Sequence, residues 1–227
     1  MIGQSLSLPN ALDVLAIIVG SLTGALHATR KQLGLLGVLV VAFCTGVGGG
    51  AIRDTILLAG TPGFLLTPEF MACAVAGAVL AYFFARAASA LQPAYVLLDA
   101  LMIGIWVLLG CTSAEALGLG DVAVVFVGVV AATGGGLLRD VLCHNLPSIV
   151  TPGVWYSPAA FFAAVTWVSL EATGLAIWIA QVSAMVVATS LRLLSLRFGI
   201  YTPQPVDVSD RVLRLLRIKK LEHDRAG

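Results

Sequence analysis

The amino-acid sequence predicts an all-α integral membrane protein with seven transmembrane helices, arranged as two inverted three-helix repeats and a seventh helix. Its composition indicates the class, because 59% of the 227 residues are hydrophobic and 11% are charged, whereas soluble domains carry about 25% charged residues. Seven apolar segments near the length of a membrane span, roughly 20 residues, indicate the helix count. A glycine-rich charged motif that occurs twice indicates the repeat.

The seven apolar segments are joined by short loops with turn residues, such as Pro62-Gly63 and Gln92-Pro93. No basic stretch precedes Leu12, so the first segment is expected to be a retained span rather than a cleaved signal. The sixth segment is the shortest and is rich in Ala, Ser and Thr. The segments cover roughly residues 11–29, 33–58, 69–88, 95–113, 121–143, 157–171 and 175–194.

One motif recurs at a fixed distance along the chain. Residues 48–54, Gly-Gly-Gly-Ala-Ile-Arg-Asp, return 86 positions later (134 − 48) as residues 134–140, Gly-Gly-Gly-Leu-Leu-Arg-Asp, and Asp13 aligns with Asp99 at the same offset. Two units of three spans in one chain enter the membrane from opposite sides because three is odd, and such inverted repeats are common in transporters and channels. The predicted organisation is a first repeat at 11–90, a second, inverted repeat at 94–173, a seventh helix at 175–194 and a basic cytoplasmic tail at 203–227.

The basic residues predict the topology, since cytoplasmic loops are enriched in Lys and Arg. They follow spans one, three and seven, which end on the same side of a seven-span chain, and the N-terminus is therefore expected outside the cell membrane and the C-terminus in the cytoplasm. These residues are Arg30, Lys31, Arg86, Arg192, Arg197 and those of the tail. Within the tail, residues 208–221 read as a basic amphipathic helix, which either docks on anionic membrane lipids or is a solvated tail.

Two interpretations of the glycine triplets remain open. Segment two has about 26 residues, or about 39 Å of straight helix, against a hydrocarbon core of about 30 Å. A kink or an unwound stretch at the triplet would absorb the excess, and unwound backbone is tolerated only where it faces protein or a water-filled path. The alternative is close helix packing through small residues spaced four apart, such as Gly20 with Gly24 and Gly46 with Gly50.

The charges of the motif need partners inside the membrane. Because segment one enters where segment two ends, Asp13 is predicted to pair with Arg53, and the repeat predicts an equivalent pair of Asp99 with Arg139. If a half-helix restarts after the triplet, an aspartate in its first turn is favoured by the helix dipole and an arginine is not. Asp54 and the equivalent Asp140 are further candidate counter-charges, although neighbours on a helix point about 100° apart and are not expected to face each other. Intramembrane charges mark functional sites, while the alternative role is to lock helices together.

The sequence also disfavours several classes of function. A net charge of +1 offers no basic face for nucleic acid. The four cysteines lack paired spacing, and Cys143-His144 has no second pair to complete a metal site. No phosphate loop, dinucleotide motif or metalloprotease motif occurs, so neither an enzyme nor a cofactor is expected.

The doubled motif, in register in two sets of three spans, resembles the prokaryotic members of the trimeric intracellular cation channel family, which are also labelled bacterial glycine transporters. The resemblance covers roughly residues 13–194. It implies a homotrimer with a pore in each subunit, lined by kinked spans two and five, that conducts potassium and, less selectively, sodium. The pore residues that it implies are Gly48, Gly49, Gly50, Arg53, Gly134, Gly135, Gly136 and Arg139.

A secondary carrier for glycine or a similar zwitterion is the alternative function. An arginine and a half-helix N-terminus suit a carboxylate, and freed carbonyls suit an ammonium group. Arginines beside a cation path would repel cations unless Asp13 and Asp99 neutralise them. The residues themselves leave channel and carrier open, and the resemblance favours the channel.

Overall fold

The computed structural model describes residues 8–90, 92–151 and 153–202, and the tail predicted at 203–227 lies outside the described residues. The described chain is helical apart from its loops and one isolated antiparallel bridge between Val154 and Tyr201. The helices are α1 (Leu8–Arg30), α2 (Leu35–Ile56), α3 (Gly63–Leu66), α4 (Pro68–Ala90), α5 (Gln92–Ala116), α6 (Asp121–Leu142), α7 (Ser157–Glu171) and α8 (Ile177–Phe198).

Each of the seven predicted segments coincides with a helix, and the single turn of α3 is an addition. Five described helices (α1, α2, α5, α6 and α8) are long and apolar enough to cross a membrane. Within α4, residues Pro68–Leu80 form a shorter apolar helix among those described. With 15 residues, α7 is only about 22 Å long against a core of about 30 Å. A count of seven spans therefore remains a prediction for α4 and α7.

Helices α2 and α6 have the same local structure. Both have 22 residues, and both bounds of α6 lie 86 positions after those of α2 (121 − 35 and 142 − 56). Gly34 and Gly120 precede them in extended conformation. Leu58 and His144, two residues beyond the helix ends and again 86 apart, both have positive φ, 50° and 55°. The repeated sequence thus produces repeated helix starts and stops.

The centre of the fold is the contact between α2 and α6. Helices α1 and α4 pack on α2, helices α5 and α7 pack on α6, and α8 packs on α5 and α7. The largest buried cluster lies on the side of α5 to α8, where Ile103, Val107 and Trp167 are fully buried. On the other side, α1 and α2 approach closely: a Cβ on Gly20 would lie 3.0 Å from the Cα of Gly46.

The glycine triplets do not interrupt the helices. Helix α2 continues through residues 48–50 and α6 through residues 134–136, so the prediction of an unwound stretch is wrong, whereas a kink at the triplets stays a prediction. Length is the reason, since 22 residues make about 33 Å of helix and leave little excess over a core of about 30 Å. The middle glycine of each triplet serves close packing, because a Cβ on Gly49 would collide with the carbonyl oxygen of Ala131, and one on Gly135 with that of Thr45.

Candidate functional site

The third glycine of each triplet faces a different environment from the first two. A Cβ on Gly50 would meet the Trp106 ring at 3.4 Å, and one on Gly136 would meet the Tyr156 hydroxyl at 3.7 Å, both near ordinary contact. Both glycines also line polar cavities, one at each end of the contact between α2 and α6. The last glycine of each triplet therefore opens towards polar space, while the earlier ones allow the helices to cross.

The first polar cavity, of about 150 Å³, lies where α1 begins and α2 ends. Its charged lining consists of Asp13, Arg53 and Asp54, whose side chains are 16%, 11% and 13% exposed. The guanidinium of Arg53 lies 3.6 Å from the carboxylate of Asp13, and its Nε donates a 2.8 Å hydrogen bond to Oδ1 of Asp54. The contact between Asp13 and Arg53 is the one predicted from the sequence. With all three groups ionised, this cavity carries a net charge of minus one.

The pairing of Arg53 with its immediate neighbour corrects the expectation that adjacent residues do not face each other. The motif lies in the last turn of α2 rather than in the first turn of a restarted helix, so the long arginine side chain can fold around the helix end. At a C-terminus the helix dipole favours the arginine and disfavours the aspartate, the reverse of the predicted situation. Asp54 is compensated by two donors, since its Oδ2 accepts a 2.9 Å hydrogen bond from the Gly63 N–H.

The second polar cavity is smaller, about 30 Å³, and lies at the opposite end, where α5 begins and α6 ends. Asp99 and Arg139 both line it. Arg139 repeats the geometry of the first copy, with Nε 3.0 Å and Nη2 2.9 Å from Oδ1 of Asp140. Oδ2 of Asp140 accepts a 3.0 Å hydrogen bond from the Ser148 N–H. In both copies, therefore, the carboxylate of the motif accepts hydrogen bonds from its neighbouring arginine and from a backbone N–H that follows the helix.

Asp99 forms an ion pair with Arg192, at 3.6 Å, and its predicted pairing with Arg139, which lines the same cavity, stays a prediction. Arg192 also donates a 3.3 Å hydrogen bond to the Val154 carbonyl, and its guanidinium carbon lies 5.1 Å from the centre of the Tyr156 ring. Its side chain is only 13% exposed. Sequence reasoning assigned Arg192 to the cytoplasmic flank, although it lies inside the predicted segment 175–194, where an arginine calls for a partner.

Two further residues of the second cavity were missed from the sequence. Trp106 lines both cavities, and Tyr156 lines the second, where its hydroxyl donates a 3.4 Å hydrogen bond to the Ala132 carbonyl. Both are aromatic residues in an apolar stretch of sequence, where such residues are common. The one sequence signal for Trp106 is that the equivalent position in the first repeat, 86 residues earlier, is a glycine, Gly20. No group of three or more metal-ligating side chains occurs among the residues that the structure describes.

Comparison with known proteins also divides the chain into two repeated segments. A family model described as glycine transporter matches residues 10–86 and again residues 96–172, two segments displaced by 86 positions (96 − 10). A membrane protein of Streptomyces coelicolor named UPF0126 is 36% identical over 86% of this chain and 89% of its own length. A UPF0126 membrane protein of Deinococcus radiodurans is 34% identical, and the match spans 61% of this chain and 65% of that protein. An Escherichia coli relative, 28% identical over 85% of this chain and 93% of its own length, is named an inner membrane protein.

Solved structures share the fold over nearly their whole length. The trimeric intracellular cation (TRIC) channel orthologue from Rhodobacter sphaeroides is 31% identical, with a TM-score of 0.78 over 85% of this chain and 98% of its own. A second structure, described in terms of conductance through TRIC cation channels, is 25% identical, with a TM-score of 0.79 over 87% and 97%. These matches are channels, not enzymes.

The helices and the named relatives define an all-helical membrane protein. The chain belongs to the TRIC channel family, whose bacterial sequences carry the family description glycine transporter and the name UPF0126.

Proposed function

We propose that the protein is a channel for monovalent cations, conducting potassium and, less selectively, sodium along a path between α2 and α6 in each subunit. The observation that carries the proposal is the pair of polar cavities at opposite ends of the glycine crossing, the first lined by one arginine and two aspartates and the second by one arginine and one aspartate. The structural neighbours, which are described as cation channels, support the same reading.

The charges of the first cavity suit a cation despite its arginine. Asp13 and Asp54 both contact Arg53, so two carboxylates face one guanidinium. A guanidinium held on two sides by carboxylates has its field largely cancelled, and the remaining negative charge attracts cations into the cavity. Carboxylates that surround an entrance are a common source of cation selectivity in pores.

In the second cavity the charges balance. Asp99 and Arg139 line it, and Arg192 and Asp140 lie next to them, so the net charge of the four groups is zero when all are ionised. A neutral cluster neither attracts nor expels cations strongly, and displacement of either arginine would leave an uncompensated carboxylate. We therefore assign the arginines a gating or tuning role and the carboxylates the attraction of ions. A charged side chain that moves across part of the membrane field makes opening voltage-dependent.

The arrangement in the membrane belongs to the same proposal. Residues 11–90 and 94–173 would be inverted repeats, related so that the first cavity opens outside and the second towards the cytoplasm. The N-terminus would be outside, the C-terminus in the cytoplasm of the bacterial inner membrane, and the assembly a homotrimer embedded in lipid. Support for these points comes from the distribution of basic residues and from the trimeric description of the Rhodobacter sphaeroides neighbour.

Reconstitution of the purified protein in a planar bilayer tests the proposal. Discrete unitary potassium currents are expected, and the variants Arg53→Gln and Arg139→Gln should alter the unitary conductance or its voltage dependence. Arg197→Gln, at an exposed position near the end of α8, is the matched control and should behave as the wild type. Saturable, ion-coupled glycine uptake without unitary currents would overturn the proposal in favour of a carrier.

A further inference from the structure

Trp106 occupies the position between the two polar cavities. It is the one residue, among those described, that lines both of them. It is also the central residue of the candidate span Val96–Ala116, about midway through the membrane. The indole therefore stands where a continuous path from one cavity to the other would have to pass.

The indole is held against the glycine triplet of α2. A Cβ on Gly50 would lie 3.4 Å from Cη2 and Cζ3 of the ring, and a Cβ on Gly49 would lie 3.5 Å from Cδ2. The ring thus packs on the small residues of α2, and its side chain is 7% exposed. The absence of side chains at these two glycines leaves room for the indole.

The repeat identifies this side chain as a departure from symmetry. Position 106 corresponds to position 20 at the offset of 86, where the residue is Gly20. Gly20 lines the second cavity and packs on α2, with a Cβ position 3.3 Å from the Thr45 carbonyl. Helix α1 therefore approaches α2 closely at this point, whereas α5 carries the largest of the side chains at the equivalent position.

We propose that the Trp106 indole is the barrier that closes the path between the two polar cavities, and that conduction requires it to leave Gly49 and Gly50. The proposal rests on the proposed channel function and adds the residue that gates it. An apolar constriction excludes water and with it hydrated ions, which is a known way to close a pore. An indole that swings aside would present its face to the path, and aromatic faces attract cations.

The variant Trp106→Ala tests the barrier in proteoliposomes that take up rubidium against trapped potassium. A minor open state is typically 0.1–10% populated, so removal of the barrier should raise rubidium uptake roughly tenfold or more. Uptake should remain selective for cations over chloride, because the charged residues of both cavities are unchanged. Trp178→Ala, on the exposed face of α8, removes an indole that lines neither cavity and should leave uptake at the wild-type level.

The possible outcomes separate the barrier from the channel. If the wild type conducts and folded Trp106→Ala takes up rubidium at the wild-type rate or more slowly, the barrier is wrong and the channel stands. If the wild type and Trp106→Ala both fail to conduct, the channel proposal fails and the barrier falls with it. Equal chloride leakage would show a damaged fold and would also count against the barrier. Should Trp106→Ala not fold, Trp106→Phe is used instead, because it keeps an aromatic ring of smaller size. The barrier then requires a rubidium uptake above the wild-type rate and below ten times that rate.

Discussion

The first and sharpest prediction concerns two neighbouring glycines of the same triplet. Gly49→Ala places a methyl group against the carbonyl oxygen of Ala131 on α6, whereas Gly50→Ala places one at 3.4 Å from the Trp106 ring. A carbonyl of a continuous helix cannot give way without moving the helix. A ring edge at that distance needs to shift by a few tenths of an ångström. The structure therefore predicts opposite effects for the same substitution at adjacent positions.

The magnitude follows from two terms. Replacing a glycine by alanine inside a helix stabilises it by about 1 kcal/mol, and this gain is common to both variants. Overpacking of a tight contact costs about 1–3 kcal/mol, and it applies to Gly49→Ala. Gly50→Ala should therefore be neutral or stabilised by up to about 1 kcal/mol, and the difference between the two variants should equal the overpacking cost, about 1–3 kcal/mol.

Thermal stability of the detergent-solubilised protein, followed by fluorescence-detected size-exclusion chromatography, measures the effect. Gly49→Ala should melt below the wild type and Gly50→Ala at or above it. Gly135→Ala and Gly136→Ala form the equivalent pair on α6, because a Cβ on Gly135 would collide with the Thr45 carbonyl while one on Gly136 has no contact closer than 3.7 Å. Equal melting temperatures within each pair would refute the packing account and would favour a triplet that acts as a uniform hinge.

Three other predictions test the remaining contacts. A double-mutant cycle of Asp13→Asn and Arg53→Gln should give a coupling energy of about 0.5–3 kcal/mol in thermal unfolding, and additive effects would mean that their 3.6 Å contact carries no stability. Trp167→Phe removes the donor of the indole hydrogen bond to the Glu115 carboxylate and should lower stability by about 1–3 kcal/mol, whereas unchanged melting would show that the carboxylate is satisfied by water. Ser195→Ala leaves the loop amide that bonds its hydroxyl at 2.6 Å without an acceptor, at a cost of about 1–3 kcal/mol, and a wild-type melting curve would contradict that accounting.

The repeat made half of the site predictable. Identical residue types at an offset of 86 produce the same helix bounds in α2 and α6, so the position of one motif predicted the environment of the other. The contact between Asp13 and Arg53 followed from topology alone, because α1 begins on the side where α2 ends. Such reasoning needs no side-chain detail. It depends only on which helix ends share a side of the membrane.

The pairing of adjacent residues was not predictable from helical geometry. The rule that neighbours point about 100° apart holds within a helix, but Arg53 and Arg139 lie in a last turn, where a long side chain can reach around the end. That the motif lies in the last turn of α2 could not be predicted, because the predicted length of this helix was wrong. Segment boundaries from hydropathy were two residues too long at each end of α2, and that error suggested an excess of helix length to be absorbed at the triplet.

The repeat also cannot predict what lies outside it, and α8 is the clearest case. Arg192 comes from a helix without a counterpart at the offset of 86, and it lies 3.6 Å from Asp99, for which the repeat predicted only Arg139. It is held there by the loop between α6 and α7, through the Val154 carbonyl. Helix α8 is therefore part of the polar site, and the partner of Asp99 could be found only in three dimensions.

Both departures from symmetry change the same half of the molecule. Arg192 adds a second cation beside Asp99 next to the second cavity, and Trp106 places an indole where the equivalent position has Gly20. An exact repeat would give two equal cavities, each with one arginine and two aspartates, and a path with no preferred direction. In this chain a negative cavity of about 150 Å³ meets an indole, and a neutral cavity of about 30 Å³ lies beyond it. The path proposed for cations consequently has a larger, negatively charged cavity on one side of its barrier and a smaller, neutral cavity on the other, and the residues that create this difference are those that the repeat does not share.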